Sequence, residues 1–172
     1  NNVDQIRGIK KGELDISFTR DNFQSDEIES KFVLREPLIF ILPKEHPLAK
    51  YERIPVQALD GIDFIIPSDE QSKMLHDAIL NFAKDHGIEF NIVQKADNIL
   101  FNINSIGIGL GCTILPGYIA TLTMNNTVIR PLDVELPSLD LFVSYRKNSN
   151  STAVQKFMDL LSKVFYLDFN QS

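Results

Sequence analysis

Apolar and polar positions at the start of the chain follow first a helical and then an alternating spacing. Apolar side chains recur about every 3.6 positions over residues 3–9, which predicts a helix closed by Gly8 and Gly12. Apolar and polar side chains then alternate over residues 14–19, which predicts a short, half-buried strand. Its apolar members are Leu14, Ile16 and Phe18.

Two further apolar segments predict two more strands before a first border. Phe32 and Leu34 indicate one strand, and residues 38–42 indicate another that is apolar on both faces and therefore lies inside a sheet. Residues 43–55 are rich in charge and proline, and a short helical piece follows them and leads to Gly61. We expect a domain border here.

The middle of the chain alternates predicted strands with predicted helices. A strand over residues 62–66 precedes a helix that starts with a capping box, Ser68 with Gln71, and ends at Gly87. A strand over residues 90–93 precedes a second helix, which Asp97 and Asn98 can cap. Further elements are a strand at 112–115, a helix from Pro116 and Gly117 to about Met124, and a strand at 128–132.

The last part of the chain repeats the pairing of strand and helix. A border at residues 135–138 precedes an alternating strand over 139–145, and a second capping box, Thr152 with Gln155, opens the final helix. Strands that alternate with helices over this length predict an α/β architecture with largely parallel sheets.

The composition and net charge of the chain disfavour some classes of binding partner. Of the 172 residues 44% are apolar, with 17 basic against 23 acidic side chains, so the net charge is −6 and non-specific binding to nucleic acid is disfavoured. No apolar run is long enough to cross a membrane, and no secretory signal is evident. A single cysteine, Cys112, excludes an internal disulfide framework and fits a reducing compartment.

The sequence carries no coherent set of catalytic or cofactor-binding residues. The glycines over 107–111 follow a predicted helix and precede a strand, which is the wrong order for a dinucleotide loop, so we interpret them as a helix end with tight packing. The three histidines lack metal-ligand spacing, and no serine lies in a nucleophile elbow. We therefore expect no enzyme activity, no cofactor and no metal.

Polar residues that follow strands are the candidate ligand contacts, because ligands of open α/β sheets bind at the carboxyl ends of the strands. Ser68 and Asn98 have helix capping as an alternative role, Arg20 could be a solvated charge and Tyr118 could be core. Asp69 and Glu70 would repel an anion at Ser68 unless they point away. The candidates are Thr19, Arg20, Ser68, Asp97, Asn98, Pro116, Gly117 and Tyr118.

Six segments in order along the chain resemble the effector-binding (co-inducer) domain of LysR-type transcriptional regulators. Singly they are weak signals, but together and at this spacing they are fairly specific for the family. The segments are Lys11–Phe18, Arg35–Pro43, His46–Ala49, Leu59–Ile65, Ile106–Pro116 and Val128–Leu132.

The resemblance implies two Rossmann-like lobes, similar to type 2 periplasmic binding proteins, with a ligand cleft between them. One lobe would comprise residues 1–62 and 138–172, and the other residues 63–137. A small-molecule effector, a small organic acid or aromatic compound, would contact the strand-end candidates, with Phe18 added from the end of the first strand.

The resemblance also implies partners and a place in the cell. We expect a cytoplasmic homodimer or homotetramer that does not engage membranes and reaches DNA only through an N-terminal helix-turn-helix domain absent from this chain. A family strand and ligand-contacting loop upstream of residue 3 are also expected to be missing. The alternative is a stand-alone solute-binding protein of a transporter, for which an export signal upstream would be the discriminating feature.

Overall fold

The computed structural model describes residues 2–122, 126–147 and 151–165. The chain forms two compact units: residues 1–35 with 140–172, here the terminal unit, and residues 36–139, the central unit. Both ends of the chain contribute to the terminal unit, as the resemblance implies for one lobe. The lobe limits expected from the sequence, 1–62 with 138–172 and 63–137, stay a prediction.

The described residues of the terminal unit form helices and strands from both ends of the chain. These are α1 (Asn2–Lys11), β1 (Ile16–Thr19), the start of β2 (Ile28–Pro43), most of β7 (Ser138–Arg146) and α4 (Thr152–Phe165). β1 runs antiparallel to β7 with Thr19 opposite Phe142, and β7 lies between β1 and β2. Helix α1 packs against β1, and Gly12 ends that helix with a left-handed φ of 77°.

The faces of β1 differ from the sequence prediction. Leu14 and Phe18 are about two-fifths exposed, whereas Ser17 and Thr19 are buried. Phe18 packs edge-on against Phe157 of α4, with ring centroids 6.2 Å apart. The alternation located the strand correctly, but the more deeply buried face is the polar one, on which the hydroxyl of Thr19 bonds to Ser144 of β7 at 3.0 Å.

In the central unit β3 (Asp63–Pro67) pairs in parallel with β4 (Asn91–Ala96), and β5 (Thr113–Pro116) runs parallel beside β3, joined to it by a bridge between Cys112 and Phe64. Pro67 lies opposite Ala96, and the residue before β5, Cys112, exchanges backbone hydrogen bonds of 2.8 Å with Asp63 and Ile65 of β3. The remaining elements are α2 (Asp69–Asp85), α3 (Ile99–Gly107), β6 (Thr127–Ile129) and the 3-10 turns Pro47–Lys50, Val56–Leu59 and Gly117–Leu122.

The core of the central unit fills the space between this sheet and its helices. Phe64 on β3 stacks on Phe90 with ring centroids 4.1 Å apart, and Ile65 and Ile79 are fully buried. Helix α2 packs on β3, and α3 packs on β3 and β4. The apolar faces of both helices are thus packed against the strands of this unit.

The glycine run belongs to the packing of this unit. Gly109 has a φ of 84° and ends α3, and a Cβ on Gly111 would lie 2.8 Å from the carbonyl oxygen of Asp63. The interpretation as a helix end followed by tight packing against a sheet is correct, because the close approach is to strand β3.

Three elements predicted from the sequence have a different form in the structure. The two strands expected at 32–34 and 38–42 are one strand, β2, whose second half pairs antiparallel with β5 and β6. The prediction of largely parallel sheets is therefore wrong: among the described residues β1 with β7 and β2 with β5 and β6 pair antiparallel, whereas parallel pairing joins β3 to β4 and forms the bridges Phe64–Cys112 and Ile54–Leu132. The helix expected from Pro116 is a 3-10 turn as far as Leu122, and Met124 lies outside the described residues.

Candidate functional site

The carboxyl ends of the three parallel strands bring six of the nine candidates to one edge of the central unit. Ser68 follows β3, Asp97 and Asn98 follow β4, and Gly117 and Tyr118 follow β5, directly after Pro116. The backbone N–H of Ser68 donates to the carbonyl oxygen of Ala96 at 2.9 Å, so the ends of β3 and β4 are directly linked. This edge is the candidate site.

Ser68 presents a hydroxyl with no bonding partner in the described part of the chain. It occupies the N-cap position of α2 and is 4% exposed, yet its Oγ neither caps the helix nor bonds elsewhere. The predicted capping bond is therefore wrong. Its failure coincides with an interruption of the first turn, because Ser72 has φ −146° and ψ 68°. A buried hydroxyl without a partner costs free energy, which a ligand or water that bonds to it would restore.

The carboxylate of Asp69, at the start of α2, is paired with a neighbouring lysine. Asp69 Oδ1 lies 3.6 Å from Nζ of Lys95 on β4. The backbone hydrogen bond to its own amide, followed by the charges of Lys95 and His76, lowers the pKa of Asp69 below its usual value. Its repulsion of an anion, raised as an objection from the sequence, is thus partly neutralised by a neighbouring cation.

His76 links helix α2 to the end of β3 by a hydrogen bond. Its Nδ1 lies 2.8 Å from the carbonyl oxygen of Pro67 at the end of β3. Since a carbonyl oxygen only accepts, Nδ1 carries the proton and donates. The ring thereby ties the second turn of α2 to the strand end that precedes Ser68.

The polar side chains in the first turns of α3 differ in whether they have a hydrogen-bond partner. Asn98 Oδ1 accepts from the N–H of Phe101 at 2.8 Å, which confirms the predicted cap, and Asp97 is exposed. One turn further on, Asn102 is 1% exposed, and its Oδ1 has no partner among the described residues. Sequence reasoning missed Asn102. The available signal was an amide at a position of the stripe otherwise occupied by Ile99, Ile103 and Ile106.

The turn after β5 is held by an acidic side chain. Glu36 Oε1 accepts from the N–H of Tyr118 at 3.0 Å, and a Cβ on Gly117 would lie 3.2 Å from that oxygen. The amide of Tyr118 is therefore occupied, while its ring is half exposed and Pro116 is buried. Tyr118 is not a core residue, and Glu36 is a second residue that sequence reasoning missed.

The other three candidates lie at the end of β1 in the terminal unit. Phe18 and Thr19 point to opposite faces of the strand, Phe18 toward α4 and Thr19 toward Ser144 on β7. Arg20 is half-buried. The structure thus groups Phe18, Thr19 and Arg20 at one strand end of their own unit.

A separate cavity of about 310 Å³ lies on the central unit beside β2 and β6. The guanidinium groups of its two arginines donate to backbone carbonyl oxygens, Arg53 to Leu132 at 2.7 Å and Arg130 to Ala49 at 3.0 Å. Its other lining residues are apolar or proline. The cavity offers apolar contact rather than a set of unpaired polar groups. Its lining is Leu38, Ile39, Phe40, Arg53, Ile129, Arg130, Pro131, Leu132, Val134 and Leu136.

Metal and thiol chemistry find little support in the described residues. No group of three or more His, Cys, Asp or Glu side chains there could hold a metal ion. Cys112 is fully buried, and burial raises the pKa of its thiol to about 12. Such a thiol stays protonated at neutral pH and behaves as a small apolar side chain. Within residues 2–122, 126–147 and 151–165, no helix has the length and apolarity to cross a bilayer.

Comparison with known protein sequences gives one consistent result. A family model described as LysR substrate binding domain matches residues 1–165. The Hca operon transcriptional activator HcaR of Escherichia coli (strain K12) is 33% identical over 159 residues, covering 92% of this chain and 54% of that protein. The chain spans about half the length of the curated relatives it matches.

Solved structures show the same fold. The effector binding domain of BenM with its effector benzoate has a TM-score of 0.81 and 16% identity, covering 96% of this chain and 76% of that one. The effector binding domain of QuiR in complex with shikimate has a TM-score of 0.77 and 19% identity, covering 95% and 77%. At these identities the likeness establishes the α/β fold of effector-binding domains alone.

Proposed function

This chain belongs to the LysR substrate-binding domain family, and we propose that it is the effector-sensing part of a LysR-type transcription regulator. The relatives matched over more than nine-tenths of the chain are named as transcription regulators, which does not fit the alternative of a stand-alone solute-binding protein. Binding to DNA would require a domain outside this chain. We further propose that the whole protein works in the cytoplasm as a homodimer or homotetramer.

We propose a small organic acid or aromatic compound as the effector. The observation that carries this proposal is the buried hydroxyl of Ser68 at the start of the 17-residue helix α2, where no described group bonds to it. Backbone N–H groups at a helix start favour an anion, and a hydroxyl there can donate to a carboxylate. The pairing of Asp69 with Lys95 removes part of the opposing charge. The half-exposed ring of Tyr118 adds apolar surface at the same edge.

The remaining sequence candidates would surround the ligand, either in contact with it or by positioning residues that contact it. Asp97, Asn98, Pro116 and Gly117 would shape the edge around Ser68, and Phe18, Thr19 and Arg20 would supply the loop after β1. That both groups contact one effector, in a cleft between lobes, stays a prediction of the family resemblance. Benzoate and shikimate, which bind the two neighbours named above, form a rational carboxylate panel for this chain.

Thermal unfolding with the carboxylate panel tests this function. A carboxylate that binds only the folded chain should stabilise it by about 2.7 kcal/mol at a concentration 100 times its Kd. Benzyl alcohol, similar in size to benzoate but uncharged, should give no comparable shift if the helix start recognises the charge.

Ser68→Ala is the decisive variant. Because the hydroxyl has no partner to lose, the variant should unfold at an unchanged or higher temperature, yet bind the carboxylate about tenfold more weakly. Ser105→Ala is the matched control, since Ser105 is equally buried but donates to the carbonyl oxygen of Phe101 at 2.9 Å. Equal affinity in Ser68→Ala and the unmodified chain would refute the assignment of the site.

A further inference from the structure

Three buried hydroxyl groups of the terminal unit form a continuous hydrogen-bonded series across three strands. Thr19 Oγ1 on β1 lies 3.0 Å from Ser144 Oγ on β7, which lies 2.6 Å from Ser30 Oγ on β2. At its two ends the series meets the loop between β1 and β2. Thr19 Oγ1 donates to the carbonyl oxygen of Asp21 at 2.9 Å, and the N–H of Phe23 donates to Ser30 Oγ at 3.1 Å. We call Thr19, Ser144 and Ser30 the hydroxyl chain.

The direction of every bond in the hydroxyl chain follows from proton counting. A carbonyl oxygen only accepts, so the single hydroxyl proton of Thr19 is committed to Asp21. Ser144 must then donate to Thr19, and Ser30 must donate to Ser144. Ser30 accepts in turn from the N–H of Phe23. The donors therefore all run one way, from Phe23 through the three hydroxyls to Asp21.

Because the three hydroxyl groups are buried, each depends on its hydrogen-bond partners within the hydroxyl chain. Thr19 is 1% exposed, Ser30 6% and Ser144 0%, and a hydroxyl buried to this extent is costly unless it is bonded. Bonds in such a series also polarise one another, so the loss of one weakens the next. Gln24 adds a further tie, because its Nε2 donates to the carbonyl oxygen of Ser30 at 2.8 Å. The loop is thus held at Asp21, Phe23 and Gln24.

We propose that Ser30 and Ser144 are positioning residues that fix the loop over residues 20–24 for ligand binding, and that Thr19 acts through this network rather than as a donor to the ligand. The proton of Thr19 is already given to Asp21, so the hydroxyl has none to offer a carboxylate. Arg20, the next residue, is the group in this loop whose charge suits an organic acid. This proposal rests on the proposed function, since it concerns how one part of that site is shaped.

The test combines amide hydrogen exchange at Phe23, read by NMR, with affinity for the carboxylate panel of benzoate and shikimate. Ser30→Ala and Ser144→Ala should each speed exchange at Phe23 by about tenfold or more, because the loop opens locally when its anchor is lost. Both should weaken carboxylate binding by about tenfold, the equivalent of one lost hydrogen bond. Thr19→Ser, which keeps the hydroxyl, should preserve both readouts, whereas Thr19→Val should change them as Ser144→Ala does.

Ser105→Ala in the central unit controls for a general loss of stability. It removes a hydroxyl that is just as buried and bonded, and it should leave both Phe23 exchange and affinity unchanged. Unchanged exchange at Phe23 in both Ser30→Ala and Ser144→Ala would overturn the proposal without any ligand being needed. Full affinity in Ser144→Ala beside reduced affinity in Ser68→Ala would also overturn it, while leaving the proposed function intact. Failure of the unmodified chain to bind either carboxylate would count against the proposed function, and exchange at Phe23 would still decide the loop anchoring.

Discussion

Burial has opposite consequences for the polar groups of this chain, depending on what each can bond. The fully buried hydroxyl of Thr113 donates to the carbonyl oxygen of Ile65 at 2.7 Å and so joins β5 to β3. Ser68 and Asn102 are buried as deeply, but each keeps one polar atom without a partner in the described chain. Cys112 has lost its hydration, and the charge of Asp63 further disfavours the thiolate. The first group joins two strands, the next two each leave one buried polar atom without a partner among the described residues, and the last stays protonated at neutral pH.

The buried thiol predicts an alkaline loss of stability. The pKa of Cys112 is about 12 in the folded chain against a usual value of 9.0. Between these values the unfolded chain releases a proton that the folded chain retains, so the free energy of unfolding falls as pH rises above 9. From pH 8 to 10 this contribution is about 1 kcal/mol, and Cys112→Ala should abolish it. Urea unfolding at both pH values checks this, and identical pH dependence in the variant would contradict it.

At the scale of elements, features set by neighbours along the chain could be predicted, and features set by distant residues could not. Asn98 caps α3 because capping needs only the next turn of backbone. The capping bond at Ser68 is absent, although the sequence carries the capping box, and Ser72 in the same turn departs from helical geometry. The strand at residues 14–19 was found by its alternation, but the burial of Thr19 depends on its bond to Ser144, which lies far away in sequence. Likewise, the single long β2 depends on its pairing with β5 and β6.

The cap of α3 gives the prediction at this scale. Asn98→Ala should lower the free energy of unfolding by about 1 kcal/mol, since it removes the acceptor for the N–H of Phe101. Asn104→Ala is the matched control, because Asn104 is an exposed residue of the same helix and alanine there gains helix propensity by about 0.5 kcal/mol. Urea midpoints of the two variants should shift in opposite directions. If Asn98 only caps, carboxylate affinity should stay unchanged while stability falls.

At the scale of the whole molecule, the order of elements carried more information than any single motif. The rule that ligands bind at strand ends selected Ser68, Asn98 and Tyr118, and the structure places all three at one edge of the central unit. The rule could not select Asn102 or Glu36. Their roles arise from a helix that packs over β3 and from a strand that reaches the turn after β5. Contacts of this kind leave no local signal in the sequence.

The surface of α3 predicts self-association, which the family resemblance also implies. Leu100 and Phe101 in its first turn and Ile108 directly after its last turn are 64%, 52% and 82% exposed, and exposed apolar surface is often buried in protein interfaces. The unmodified chain should therefore sediment as a dimer or larger species in an analytical ultracentrifuge. Leu100→Glu should weaken association about tenfold while the fold is kept, because an acidic side chain suits the first turn of a helix.

Leu80→Glu is the matched control for this surface. It places the same charge on an exposed leucine of α2, 44% accessible, and should leave the sedimentation profile unchanged. An unmodified chain that stays monomeric at high concentration would contradict self-association itself. Association that is weakened equally by Leu100→Glu and Leu80→Glu would instead show that α3 is not the contact surface, since charge alone would then explain the effect.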